Sequence, residues 1–331
     1  MRRVENSKKT GKSKLIAVAK LVVFLLVVAG IWHRLNSQWA ELEAHQQQPG
    51  QLWASLDLGW LVAGGMFYLG GLLPCAWFWR RILRTLDQPA PWLAVIKAYY
   101  IGHLGKYVPG KALVVVLRAG LLPKCDKAVA SVSVIYETLT MMAVGVLLAA
   151  GVLLARQQFG WPLWLALALA AATGLPVLPP VFARVYRKLG VKHLAPAMAE
   201  RVEHLSFANL AAAVVPIFLG WVLMGFSLWS SVAAIHSSPP LNWGDLPLLT
   251  ACVALSLVAG FVSLIPGGAG VRELVLMELL QPRLGVNVAF QASILLRLTW
   301  LLAEVVISVI LYTLRTTPLT AETSAALPPH T

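Results

Sequence analysis

An all-α, polytopic bundle of transmembrane helices is the fold class predicted for this chain, and three observations predict it. Hydrophobic residues make up 58% of the sequence and charged residues only 12%, far from the usage of a soluble domain. Runs such as LIAVAKLVVFLLVVAGIW and MMAVGVLLAAGVLLA approach or reach the ~20 apolar residues that cross a hydrocarbon core. Finally, Lys and Arg gather in short loops and at span ends, which is the positive-inside pattern. The ten-residue alternation of a transmembrane β-barrel is absent. The net charge of +13 therefore belongs to membrane topology, and no nucleic-acid partner is expected.

Six Lys and Arg residues within the first fourteen mark residues 1–14 as a basic head and place the N-terminus in the cytoplasm. The head resembles a signal-peptide n-region, but no small-residue cleavage site follows, so the next segment reads as a retained anchor. About six full spans are expected, at roughly 15–33, 57–79, 127–155, 161–183, 207–234 and 288–314. Asp126 is the expected N-cap of the third. The basic stretch RVYRKLGVKHLAPAMAERVEH, with Arg184, Arg187 and Lys188, is expected to lie on anionic headgroups. Residues 15–314 form a single transmembrane domain, and 315–331 read as a disordered cytoplasmic tail.

Two apolar segments break this pattern. Residues 91–123 hold Lys97, His103, Lys106, Lys111 and Arg118 around Pro109-Gly110, more charge than a straight lipid-facing span tolerates. Proline disfavours helix at the residue before it and glycine permits an unusual turn, so two short arms meeting in a re-entrant hairpin are expected. Residues 246–282 repeat the design around Pro266-Gly267-Gly268. With three full spans between them the hairpins enter from opposite sides, the arrangement of an inverted repeat with a substrate site at its interrupted helices.

The chemistry is expected at these breaks. Backbone N–H groups at helix starts near Gly110, Gly267 and Gly268 suit an anion such as a lipid phosphate. Lys111, Arg118 and Arg272 supply counter-charge, and arginine can hold two phosphate oxygens. The bland reading of Lys106 and Lys111 is snorkelling to the headgroups. Tyr99 and His103, four apart, flank the same cleft or simply sit at an interface. Glu137, mid-span, must be protonated, paired or wet. Arg297 and Glu304, seven apart, share a helix face, and an ion-pair network of Glu137, Arg297 and Glu304 is expected, serving either proton coupling or helix locking.

No metal site, catalytic group or cofactor is expected: His103 has no second histidine at ligand spacing, and neither D-x-D nor a Ser-His-Asp arrangement occurs. Cys75, Cys125 and Cys252 read as small buried hydrophobes, and the thirteen tryptophans, among them Trp77, Trp79, Trp161 and Trp243, as an aromatic belt.

GHLGKYVPGK with Arg118, the span bearing Tyr136-Glu137, IPGGAGVRE, and the final span with Arg297 and Glu304 together resemble the lysylphosphatidylglycerol synthase transmembrane-region family over roughly residues 90–312. That family includes the flippase half of the bacterial multiple-peptide-resistance factor and many stand-alone proteins. The resemblance implies a multi-pass protein of the bacterial cytoplasmic (inner) membrane that flips or exports a polar-headed, phosphate-bearing lipid, such as an anionic lipid or a lipid-linked sugar. No large soluble aminoacyl-transferase domain is recognisable here, so lipid aminoacylation is not carried over. A transporter is thus expected rather than an enzyme. The alternatives are a membrane-embedded transferase on a lipid-linked substrate, and a non-catalytic subunit partnering a glycosyltransferase or lipid-synthesis enzyme.

Overall fold

The computed structural model describes residues 56–107, 112–156, 163–188, 196–235, 241–263 and 265–314. The expected head, first span and C-terminal tail lie outside these residues, as do Gly110 and Lys111. Eleven α-helices are described: α1 Leu58–Thr85, α2 Trp92–His103, α3 Ala112–Leu121, α4 Lys127–Arg156, α5 Leu163–Gly174, α6 Pro179–Lys188, α7 Pro196–Glu203, α8 Phe207–Ile235, α9 Leu246–Val262, α10 Val271–Leu284 and α11 Val286–Thr313. No strand occurs among the described residues. Five segments are long and apolar enough to cross a membrane: α1, α4, α8, α11, and α9 with its preceding turn, Trp243–Val262. The chain is thus a multi-pass helical membrane protein.

Local chemistry sets the helix starts. Asp57 accepts hydrogen bonds from Gly59 N and Trp60 N at the head of α1, and Asp126 accepts from Ala128 N (2.8 Å) at the head of α4, as expected. At the other end of α4, Asp245 accepts a 2.9 Å bond from Arg283 Nη2 and lies 3.9 Å from Arg156, joining the ends of α4, α9 and α10.

The segment expected as a span at 161–183 is bent. Its pieces α5 and α6 meet at 69°. Pro176, Pro179 and Pro180 remove backbone donors here, and Leu178 is extended (φ −61°, ψ 126°), so no continuous helix can form. Tyr136 of α4 holds the break by donating to Val177 O at 3.1 Å. α6 is two-sided, with Phe182, Ala183 and Tyr186 buried and Arg184, Arg187 and Lys188 exposed, the pattern of a helix lying along an interface.

Packing at the centre relies on small residues, as expected where lipid provides no hydrophobic drive between helices. α1 and α8 approach so closely at Gly71 and Gly220 that a Cβ on Gly71 would sit 2.8 Å from Gly220 O. Trp221 lies over Gly145 and donates to Met141 O at 3.1 Å. Trp79 departs from the expected aromatic belt: it is fully buried and donates to Ser133 Oγ at 2.9 Å, whereas Trp77 and Trp243 are exposed. Trp161 lies outside the described residues. All three cysteines are buried and free, and burial raises the Cys125 thiol pKa against the opposing charge of Lys127.

Both interrupted segments fold back as helix pairs, α2 on α3 and α9 on α10, and their turns Leu104–Tyr107 and Pro266–Gly268 touch. The pairs are unequal. α2 has 12 residues and α3 has 10, but the charge-free run from Leu246 makes α9 and its turn a 20-residue candidate span. This revises the expectation of two matching re-entrant hairpins at 91–123 and 246–282.

Candidate functional site

A cavity of about 520 Å³ opens where the two helix pairs meet. Val114, Val115, Ile135, Leu139, Met142 and Leu257 supply apolar wall, and Lys106, Arg118, Arg272, His103 and Glu137 supply a polar end. Of the expected site residues, Tyr99, His103, Arg118, Arg272, Gly267, Gly268 and Glu137 line it, whereas Arg297 and Glu304 stand behind its wall.

Arg118 is 2% exposed and Glu137 1%, and Arg118 Nη1 donates to Glu137 Oε2 at 2.8 Å. Tyr99 Oη donates to Glu137 Oε1 at 2.9 Å, and its ring centroid lies 3.7 Å below the Arg118 guanidinium. Arg118 Nη2 lies 3.1 Å from His103 Nδ1. A guanidinium can only donate, so His103 accepts there as a neutral imidazole with its proton on Nε2. That nitrogen faces Glu304 Oε1 at 3.8 Å. Glu304, fully buried, accepts from Lys106 Nζ at 2.5 Å and from Tyr68 Oη. His103 of α2 thus stands between two ion pairs drawn from three other helices and a turn.

The expected network of Glu137, Arg297 and Glu304 is not what forms. Arg297 pairs with Glu273, whose Oε2 accepts from Gly270 N at 2.6 Å. Sharing a face of α11 does not make Arg297 and Glu304 neighbours, because seven residues of helix separate them by about 10 Å. Each charge instead finds its partner on another element. The Glu273 carboxylate also occupies the start of α10, where a bare anion site was expected.

Arg272 forms no ion pair among the described residues, and its Nε has no hydrogen-bond partner. Its guanidinium lies over Trp300, 5.1 Å from the ring centroid. Glycines seat both cavity arginines. A Cβ on Gly260 would lie 2.3 Å from Arg272 Cγ, and one on Gly102 2.4 Å from Arg118 Cγ. Gly267 (φ +60°) and Gly268 (φ +65°) turn the backbone through the left-handed region, so that Gly268 also packs on Arg272. In both pairs, then, a glycine of the first helix receives an arginine of the second.

Lys106, Tyr68, Glu273 and Trp300 belong to the site although the sequence did not single them out for it. Lys106 reads as an interface snorkeller until Glu304 is placed against it. Lys97 does lie apart, donating to Leu314 O at 2.8 Å.

Fold and site together define a multi-pass membrane protein with a cavity that is cationic at one end and apolar along its walls. The chain belongs to the lysylphosphatidylglycerol synthase TM region family, whose model matches residues 16–311 and so extends well ahead of the motifs that carry the resemblance. The family is membrane-embedded and lipid-related. No curated protein matches the chain.

Proposed function

We propose that this protein moves a polar-headed, phosphate-bearing lipid between the leaflets of the bacterial inner membrane, its N-terminus in the cytoplasm. The observation that carries the reading is Arg272, a guanidinium at the cavity's polar end with no carboxylate paired to it among the described residues. Lys106 and Arg118 are already matched by Glu304 and Glu137, so a phosphodiester would complete the charge balance at Arg272. The matched pairs hold the site's shape, and the headgroup rides in the cavity. Gly267, Gly268, Tyr99 and His103 frame the headgroup, and Lys111 and Gly110 belong to the same proposal. Alternating exposure of the cleft to the two faces would complete transport.

Reconstitution into liposomes with headgroup-labelled anionic lipids tests this. Headgroup movement without covalent change is expected, slowed by Arg272→Gln. Chemical conversion of the lipid would instead make the protein a transferase, and wild-type movement in Arg272→Gln would remove the proposed site.

A further inference from the structure

The cavity has a side as well as an end. α3 and α9 both pack against α4, yet no extensive contact joins α3 to α9 among the described residues, and a slot runs between them with α4 as its floor. Ile135, Thr138, Leu139 and Met142 recur at helical spacing along that floor, and all line the cavity. Val116 on the α3 side is 60% exposed and Ile135 44%, so these lining residues also face outward and the slot opens laterally. Its inner end is the cationic one. Arg118 is two residues beyond Val116 on α3, and Arg272 lies on Gly260, three residues beyond Leu257 of the opposite wall.

A slot that is apolar at its mouth and cationic at its base is complementary to an anionic amphiphile lying lengthwise. We infer that the slot between α3 and α9 is a hydrocarbon-chain subsite, which takes one chain of the lipid whose phosphate meets Arg272. This deepens the proposed function and rests on it: the ligand is recognised by chain and headgroup together and enters sideways from the bilayer. Met142 suits the wall, because an unbranched thioether adapts to chains of different shape.

The test uses the full chain in phosphatidylcholine nanodiscs, with trace phosphatidylglycerol bearing a photoactivatable diazirine in one acyl chain. Cross-links are expected to concentrate on residues 135–142, to saturate, and to be competed by unlabelled phosphatidylglycerol. Labelling of the lipid-facing α11 positions Val305 and Val309 should instead rise in proportion to probe. Leu139→Trp, which fills the slot, is expected to lower the saturable labelling about tenfold, the equivalent of one or two methylenes left unburied. It should leave binding of the chain-free probe glycerol phosphate unchanged. Ile135→Trp at the mouth gives the same readout if Leu139→Trp does not fold.

Even labelling of all lipid-facing helices, or undiminished saturable labelling in the tryptophan variants, would overturn the subsite. The two proposals fail differently. If the headgroup reading is wrong, Arg272→Gln leaves glycerol phosphate binding intact. If only the chain subsite is wrong, Arg272→Gln weakens both probes while the tryptophan variants weaken neither.

Discussion

Arg118 and Glu137 face each other at 2.8 Å from the second arm of one hairpin and the middle of the following span, both almost wholly buried. Removing one partner strands the other charge where neither water nor lipid can solvate it. Arg118→Ala or Glu137→Ala is expected to cost about 3–5 kcal/mol, and an apolar replacement of both much less. Thermal unfolding in detergent of the two singles and the double measures this. Additive losses would mean the pair is not coupled.

Arg272 should behave in the opposite way. It holds no ion pair among the described residues, so Arg272→Gln is expected to leave the melting temperature within about 2 °C of wild type, a change of ~0.5 kcal/mol or less. Lipid movement should nonetheless fall at least about tenfold, the loss of one charge-assisted hydrogen bond. A large stability loss with unchanged transport would assign Arg272 to structure.

Gly260 tests the seat of that arginine. A Cβ there meets Arg272 Cγ at 2.3 Å and Gly268 Cα at 3.2 Å, so Gly260→Ala must move the side chain or the turn. The expected result is a destabilisation of about 1–3 kcal/mol together with reduced transport. Gly71→Ala, which meets Gly220 O at 2.8 Å in the α1–α8 contact and does not itself line the cavity, should destabilise by a similar amount. Its transport per folded molecule should stay normal, which separates the two effects.

Tyr68→Phe keeps the ring stacked on Trp300, whose centroid is 4.1 Å away, and removes the hydroxyl that donates to Glu304. A cost of about 1.5–3 kcal/mol is expected, because the acceptor is a buried carboxylate. Lys106→Met should cost more, since Glu304 would lose its cation. Equal melting temperatures for wild type and Tyr68→Phe would show that Lys106 alone satisfies Glu304.

Much of the architecture was legible because lipid is a demanding solvent. Four expected spans match α1, α4, α8 and α11 closely, for an apolar run of sufficient length has no other way to satisfy its backbone. The predicted 161–183 span is bent by 69° where three prolines interrupt a hydropathy signal that does not register them. Trp79 was misread because its position near a span end resembles a belt residue, and only Ser133 on a neighbouring helix shows that its indole points inward.

The site divides along the same line. The sequence by itself determined that the chain crosses a membrane several times, that two Pro-Gly breaks carry its unusual charges, and that Glu137, Arg118, Arg272 and Glu304 need partners or water. These follow from the cost of charge in hydrocarbon, which each residue incurs alone. Only the tertiary structure decided who partners whom. Tyr68 and Glu304 lie 236 residues apart in sequence, Lys106 and Glu304 198, and Arg297 turned to Glu273 rather than to the network expected of it. Pairing depends on which helices pack side by side, and one-dimensional spacing carries no distance between helices. For the same reason no pattern in the chain announced that Arg272 would be left over at the cavity's polar end.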